Sequence, residues 1–326
     1  MTFIDGGYPG APAGIIDGGY PGSRGQVGSA RLAVTYTGTD GSVWNLRRIA
    51  PDGESVLLTN GGLQGLRSAE YDFYARQGAL TPGQVLTGSR ARERKVYLPL
   101  LIGVNLDPLT FLDLSDRWNN ANQIGEYGVL RVTRPDGQWR EISIRFNDDG
   151  GAALNDDPVE EGSELVGFTY YADDPFWYGD VIPFHFAPNG GSNFFNLDSG
   201  TGATPFIISP SFTFANATVR NPGDVPAWAH YTFNGPIDNW SIQFGGGLVG
   251  SYPVPAGYRL DVYTDPLQQV AVLTNVETGA ELDVTPDLEN IDWRPVPTRG
   301  ETALVLNIQG SGSLDVELRP RFNRGY

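Results

Sequence analysis

The sequence predicts a mainly β protein in two parts. An N-terminal domain of sandwich or barrel-like form carries one helix, and an antiparallel β-sandwich of jelly-roll type follows it. Three observations predict this. Short segments alternate apolar and polar residues at period two along most of the chain. Gly (43) and Pro (24) separate those segments as turns. Only one stretch, near residue 110, carries apolar residues at helical spacing. A length of 326 residues allows two domains of roughly 150 residues. The polar run from Pro188 to Gly202 marks the boundary, which gives an arm over 1–25, a first domain over 26–195 and a second over 196–326.

The arm repeats one phrase, Ile4-Asp5-Gly6-Gly7-Tyr8-Pro9-Gly10 and Ile16-Asp17-Gly18-Gly19-Tyr20-Pro21-Gly22. Tyr8, Pro9, Tyr20 and Pro21 read as anchors of an extended segment that needs a surface to lie on; a loose terminus is the other reading. Arg31–Thr37 and Val43–Ile49 flank a Thr39-Asp40-Gly41-Ser42 turn and predict a hairpin. Glu70–Arg76 is a third strand. Arg92–Ile102 is the strongest strand of this half, a charged start followed by a buried run. Asp107 caps a helix that opens on Pro108, places Phe111, Leu114 and Trp118 on one face, and stops by Gly125. Val129–Arg134 and Gln138–Phe146 form a hairpin around Pro135-Asp136-Gly137, and Glu164–Ala172 is a further strand. No helix is expected after residue 130. Beyond the boundary, Trp228/His230/Thr232, Trp240/Ile242/Phe244, Tyr258/Leu260/Val262 and Leu314/Val316/Leu318 alternate as short strands of a sandwich.

Composition excludes several chemistries. The chain has no Cys, so disulfides, thiolate metal sites and cysteine nucleophiles are absent. Its 2 His, His185 and His230, lie in strand-like stretches and read as core or rim residues. The formal net charge of −16 is a poor basis for gripping nucleic acid. That charge is unevenly spread: residues 146–219 hold 11 acidic and no basic residues. This stretch reads either as solvated loop or as a negative wall facing a basic partner or a passing polyanion. The start, Met1–Gly7, lacks a signal-peptide pattern, and the longest apolar run, Val96–Val104, is far shorter than the ~20 residues that span a bilayer. The expectation is a soluble chain that folds in a cytoplasm and does not insert in a membrane.

The search for catalytic groups assigns none. Gly245-Gly246-Gly247-Leu248-Val249-Gly250 fits the dinucleotide fingerprint by letter, but Ser251-Tyr252-Pro253 cannot start the helix it requires, so it reads as a loop. A glycosidase needs two carboxylates held ~5–10 Å apart, and adjacent pairs such as Asp148/Asp149 read better as solvated loop. Residues 147–164 hold many oxygen ligands without EF-hand spacing. No metal or cofactor site is assigned. Among the tryptophans, Trp118 and Trp240 read as core. Trp177 and Trp293, beside prolines, read as exposed, and Trp293 is the candidate to stack on a sugar.

Three segments carry a resemblance. They are Gly88-Ser89-Arg90-Ala91-Arg92-Glu93-Arg94-Lys95-Val96-Tyr97-Leu98-Pro99-Leu100, Ala172-Asp173-Asp174-Pro175-Phe176-Trp177-Tyr178, and Arg220-Asn221-Pro222-Gly223-Asp224-Val225-Pro226-Ala227. Together, and in this order, they resemble the distal tail protein of long-tailed phages with non-contractile tails. The resemblance implies a structural minor tail protein, not an enzyme. Its N-terminal domain would form a ring, usually a hexamer, and its C-terminal sandwich would be galectin-like. Such a ring joins the tail tube to the tip and receptor-binding proteins, and the tape-measure protein and DNA pass through it. The expected location is the virion, after assembly in the host cytoplasm. Arg90, Arg92, Arg94 and Lys95, with Asp174, Pro175, Phe176, Trp177 and Tyr178, are the expected subunit or partner contacts; an ordinary solvated strand start is the other reading of the four basic residues. A carbohydrate-binding protein touching host glycans through the C-terminal sandwich is the alternative.

Overall fold

A computed structural model describes residues 31–59, 62–78, 82–150, 157–187, 211–243, 248–250, 252–288, 293–298 and 300–326. The N-terminal arm, with Tyr8, Pro9, Tyr20 and Pro21, lies outside the described residues, as does the expected 195/196 boundary.

Period-two alternation makes the strands of the first half. β1 (Ala33–Thr37) and β2 (Val43–Asn45) pair across a turn in which Gly41 takes a φ of 81°. β3 (Val56–Leu58) follows, then β4 (Tyr71–Arg76) and β5 (Val85–Ala91), which pair with each other as a separate hairpin. β6 (Arg94–Ile102) buries every second side chain, from Arg94 through Val96, Leu98 and Leu100 to Ile102. After helix α1 (Pro108–Asn120) come β7 (Tyr127–Thr133), β8 (Trp139–Asp148), the single turn α2 (Pro158–Glu161), β9 (Glu164–Ala172) and β10 (Trp177–Tyr178). The sheet runs β2-β1-β7-β8-β9-β6-β3, all antiparallel, with β10 on β8. Leu46, just past β2, donates to Val34 (2.9 Å) and accepts from Leu58 (2.8 Å). That contact draws the sheet's two edges together into a nearly closed barrel.

Helix α1 plugs the barrel with Phe111, Leu114 and Trp118, all buried. Trp118 packs edge-on against Trp44 (5.3 Å between centroids) and Phe168 (5.7 Å), geometry that the ring quadrupoles favour. Asp107 caps the helix as the sequence predicts, accepting from the amides of Leu109 and Thr110. The helix stops at Asn120, before Gly125. Asn122 ends it: its side-chain amide donates to the Trp118 carbonyl (2.7 Å) and its side-chain oxygen accepts from the Tyr170 hydroxyl (2.8 Å). The expectation of no helix after residue 130 is corrected by α2 and by a 3₁₀ turn at Thr285–Asp287. α2 is capped by Asp157 and ended by Gly162 at φ 59°. A Cβ on Gly162 would lie 1.9 Å from the Leu106 carbonyl oxygen.

The second half is built from β11 (Ile182–Phe186), β12 (Ser211–Asn221), β13 (Ala229–Asn234), β14 (Ile237–Gln243) and β15 (Leu248–Gly250). β16 (Tyr258–Tyr263), β17 (Val270–Asn275), β18 (Glu281–Asp283), β19 (Gly300–Gly310), β20 (Ser313–Leu318) and β21 (Arg321–Phe322) complete it. A six-stranded sheet, β11-β20-β13-β16-β17-β18, and a four-stranded sheet, β12-β19-β14-β15, share one core. Tyr231, Phe233, Trp240, Ile242, Leu260, Val262, Leu314 and Val316 are buried in it, as their alternation predicts. Leu248–Gly250 is a strand paired with Trp240–Ile242, a correction to the loop expected there.

Sheet membership changes between Tyr178 and Ile182: β10 belongs to the barrel and β11 to the sandwich. The chain then returns. β21 leaves the sandwich and pairs with β10, Trp177 opposite Phe322.

Candidate assembly surface and interdomain clasp

The alternation that buries Val96 and Leu98 also turns Arg94 inward and Lys95 outward. Arg94 is 3% exposed. Its guanidinium donates to the Pro175 carbonyl (2.6 Å), the Gly65 carbonyl (2.8 Å), the Arg67 carbonyl and the Asn323 carbonyl (2.9 Å). One cation thus ties the loop before β4, the loop before β10 and the segment after β21. Burial lowers its pKa to about 10, which still leaves it charged at neutral pH.

The acidic-aromatic segment closes over the same point. Asp174 accepts from the Phe176 amide (3.1 Å), from the Tyr178 hydroxyl and from Arg321 (3.4 Å). Arg321 lies over the Phe176 ring, 4.4 Å from its centroid. Burial, then the Asp174 charge, push the Tyr178 hydroxyl well above its ordinary pKa. Pro175 is buried, and Trp177 is fully buried beneath Gly325, where a Cβ would come 2.9 Å from the indole.

The Asn221-to-Asp224 loop supplies the third side. Buried Asn221 donates to the Val225 and Val296 carbonyls (3.1 Å each) and accepts from the Gly223 amide (2.9 Å). Asp224 accepts from the Asn323 amide (2.6 Å), and Asn323 accepts in turn from the Tyr71 hydroxyl (2.8 Å). The three separated segments of the resemblance therefore meet at one clasp, closed by residues 319–326. Arg140 reinforces it by donating to the Arg324 carbonyl (2.6 Å) and stacking on Phe322 (3.7 Å). Sequence reading missed Asn323, Arg140 and Arg321, whose partners lie far away in the chain.

The expected contact residues therefore divide. Arg94 and Trp177 are internal and join the two halves of one chain; the expectation of an exposed Trp177 is corrected by its burial beneath Gly325. Arg90 and Lys95 are exposed. Arg92 is exposed too and pairs with Asp72 within the chain. Trp293 is half-buried and packs against the sandwich core. His185 and His230 lie on the sandwich's outer face. His185 faces Asp315, and His230 stacks on Tyr263 (4.2 Å) with Asp261 3.1 Å away. Among the described residues, no group of three or more His, Asp or Glu is placed to hold a metal, and no helix is long and apolar enough to cross a membrane.

The chain matches no sequence-family model and no curated protein sequence. Among solved structures it is similar to the Dit protein of phage SPP1, described as a paradigm of the hub of the adsorption apparatus in phages that infect Gram-positive bacteria. The TM-score is 0.58 at 14% identity, covering 90% of this chain and 99% of that one. Chains of the phage p2 baseplate, in its activated conformation with Ca and with Sr, give TM-scores of 0.47 and 0.46 at 11% and 12% identity. Each comparison covers 89% of this chain and 98% of the other. Over nearly its whole length, the chain has the fold of the SPP1 Dit protein.

Proposed function

We propose that this protein is a structural component of a phage tail tip, located in the virion after assembly in the host cytoplasm. It forms a ring, as a hexamer, that joins the tail tube to the tip and receptor-binding proteins. The tape-measure protein and DNA pass through it, and it performs no catalysis. The observation that carries this reading is the likeness to the SPP1 hub protein, which spans both the barrel and the sandwich. The sandwich takes the galectin-like place. Arg90, Arg92 and Lys95 face a neighbouring subunit.

The acidity supports the conduit. A channel for DNA works best when it does not hold DNA, and residues 146–219 carry no basic side chain. Asp173 and Asp174 are already paired with Arg145 and Arg321. Exposed Asp157, Glu160 and Glu161 are the carboxylates proposed to border the channel. Negative-stain imaging of the purified chain tests the ring directly: sixfold annular particles are expected, and uniform monomers at micromolar concentration refute it. In a higher-resolution map, those three carboxylates on the outer rim refute the channel assignment.

A further inference from the structure

The β4–β5 hairpin stands apart from the barrel, since its strands pair only with each other. Its side chains are nonetheless large and apolar: Tyr74 is 54% exposed and Val85 58% on one face, and Phe73 67% and Leu86 60% on the other. A lone two-stranded hairpin is marginal in water, and an apolar surface of this kind marks an interaction site. Arg76, opposite Val85, and Arg90, opposite Asp72, lie on the Tyr74 face; both are exposed and have no ion pair among the described residues.

A complementary surface exists on the same chain. Helix α1 buries Phe111, Leu114 and Trp118 and turns the opposite stripe outward. Leu109 is 78% exposed and Leu112 44%, and Asp116 continues the stripe at i, i+3, i+7. Asp116 has no ion pair among the described residues, and Asp113 beside it is exposed with only Arg117 for a partner (3.0 Å). One surface is apolar and basic, the other apolar and acidic. A sheet face on a helix stripe is the ordinary two-layer packing of domain cores.

We infer that the β4–β5 hairpin of one copy lies on the outer stripe of helix α1 of the next copy, with Arg76 and Arg90 facing Asp113 and Asp116. The partner is a second copy of this chain. The contact joins two different surfaces, so it runs head to tail and generates a ring when the rotation closes. This inference rests on the ring reading and names the surface that builds it.

The test uses the full chain and multi-angle light scattering after gel filtration. The hairpin variant carries Tyr74→Asp and Val85→Asp, and the helix variant carries Leu109→Asp and Leu112→Asp. The four positions are exposed, and circular dichroism checks that both variants fold. The wild type is expected to assemble and each variant to run as a monomer. Their equimolar mixture, which retains one intact hairpin–helix pairing, is expected to stop at dimers. A second pair, Arg76→Glu with Arg90→Glu and Asp113→Arg with Asp116→Arg, needs no change to the apolar surface. Each is expected to weaken assembly at least tenfold, and their equimolar mixture, in which both junctions are again complementary, is expected to recover the full assembly with the two variants alternating. Assembly of a folded hairpin or helix variant as in the wild type overturns the inference and leaves the ring reading standing, as does a mixture that stays monomeric. A monomeric wild type overturns the ring reading itself.

Discussion

Replacing Arg94 by alanine removes the side chain that joins the loop before β4, the loop before β10 and the segment after β21. Four bonds from a buried cation to carbonyls gross roughly 6–12 kcal/mol at ~1.5–3 kcal/mol each. Burying the guanidinium takes back about 3 kcal/mol, the equivalent of its lowering to about pKa 10. Water and small backbone shifts satisfy part of what is left. The net loss is about 3–5 kcal/mol, as for other buried charged contacts broken from one side. At ~2–4 °C per kcal/mol for a chain of this size, the melting temperature falls by ~10 °C. Thermal denaturation followed by circular dichroism measures it, with hydrogen exchange over residues 321–326 as the local readout. Arg94→Lys is expected to fall between, because a single ammonium cannot span carbonyls fixed for a planar fork. Salt should have little effect, since no partner is an ion. An Arg94→Ala protein melting within about 2 °C of wild type, with unchanged exchange in 321–326, refutes the reasoning.

Other outcomes follow from the same geometry. Burial raises the hydroxyls of Tyr36, Tyr170 and Tyr231 above their ordinary pKa. Their contribution to stability is therefore whole below pH 10 and is lost as pH rises past it, and absorbance near 295 nm should show these rings ionising only as the chain unfolds. Asp107, Asp173 and Asp261 are held below the usual carboxylate range, the first two mainly by hydrogen bonds to Thr110 and Arg145, the last by bonds that outweigh its burial. Their contribution is whole above about pH 4 and falls away below it, which an acid melt will record. Gly162→Ala puts a Cβ against the Leu106 carbonyl in a left-handed conformation, and a loss of at least ~2 kcal/mol is expected in urea unfolding. Gly325→Val presses on Trp177, and a rise in tryptophan emission wavelength with faster proteolysis near residue 321 is the expected sign.

Local signals were legible; signals that join distant residues were not. Asp107-Pro108 before a periodic run reads as a helix start, and the structure caps the helix there. Asp157-Pro158 carries the same cap, but α2 is one turn long and has no period to read. Trp177 follows a proline and reads as loop, yet its burial depends on Gly325 from the other end of the described chain. Arg94 could have been found: it shares parity with Val96, Leu98 and Leu100, so the alternation already turned it inward. The basic cluster around it drew the reading toward the surface. β3, at three residues, and β21, at two, are set by their partners in the sheets.

The return of β21 to the barrel gives the molecule a particular wiring. The sandwich is a cassette spliced into the barrel domain between β10 and β21. Its first and last strands are neighbours, with Ile182 directly opposite Leu318. Any load on the sandwich passes to the barrel through two adjacent, oppositely directed strands, like a handle fixed at both feet. A pull cannot peel the module off one end of the chain; it must shear both feet against the clasp that Arg94 locks. The same wiring makes the cassette exchangeable, because a different module with adjoining ends can be seated on the two feet without altering the barrel beneath.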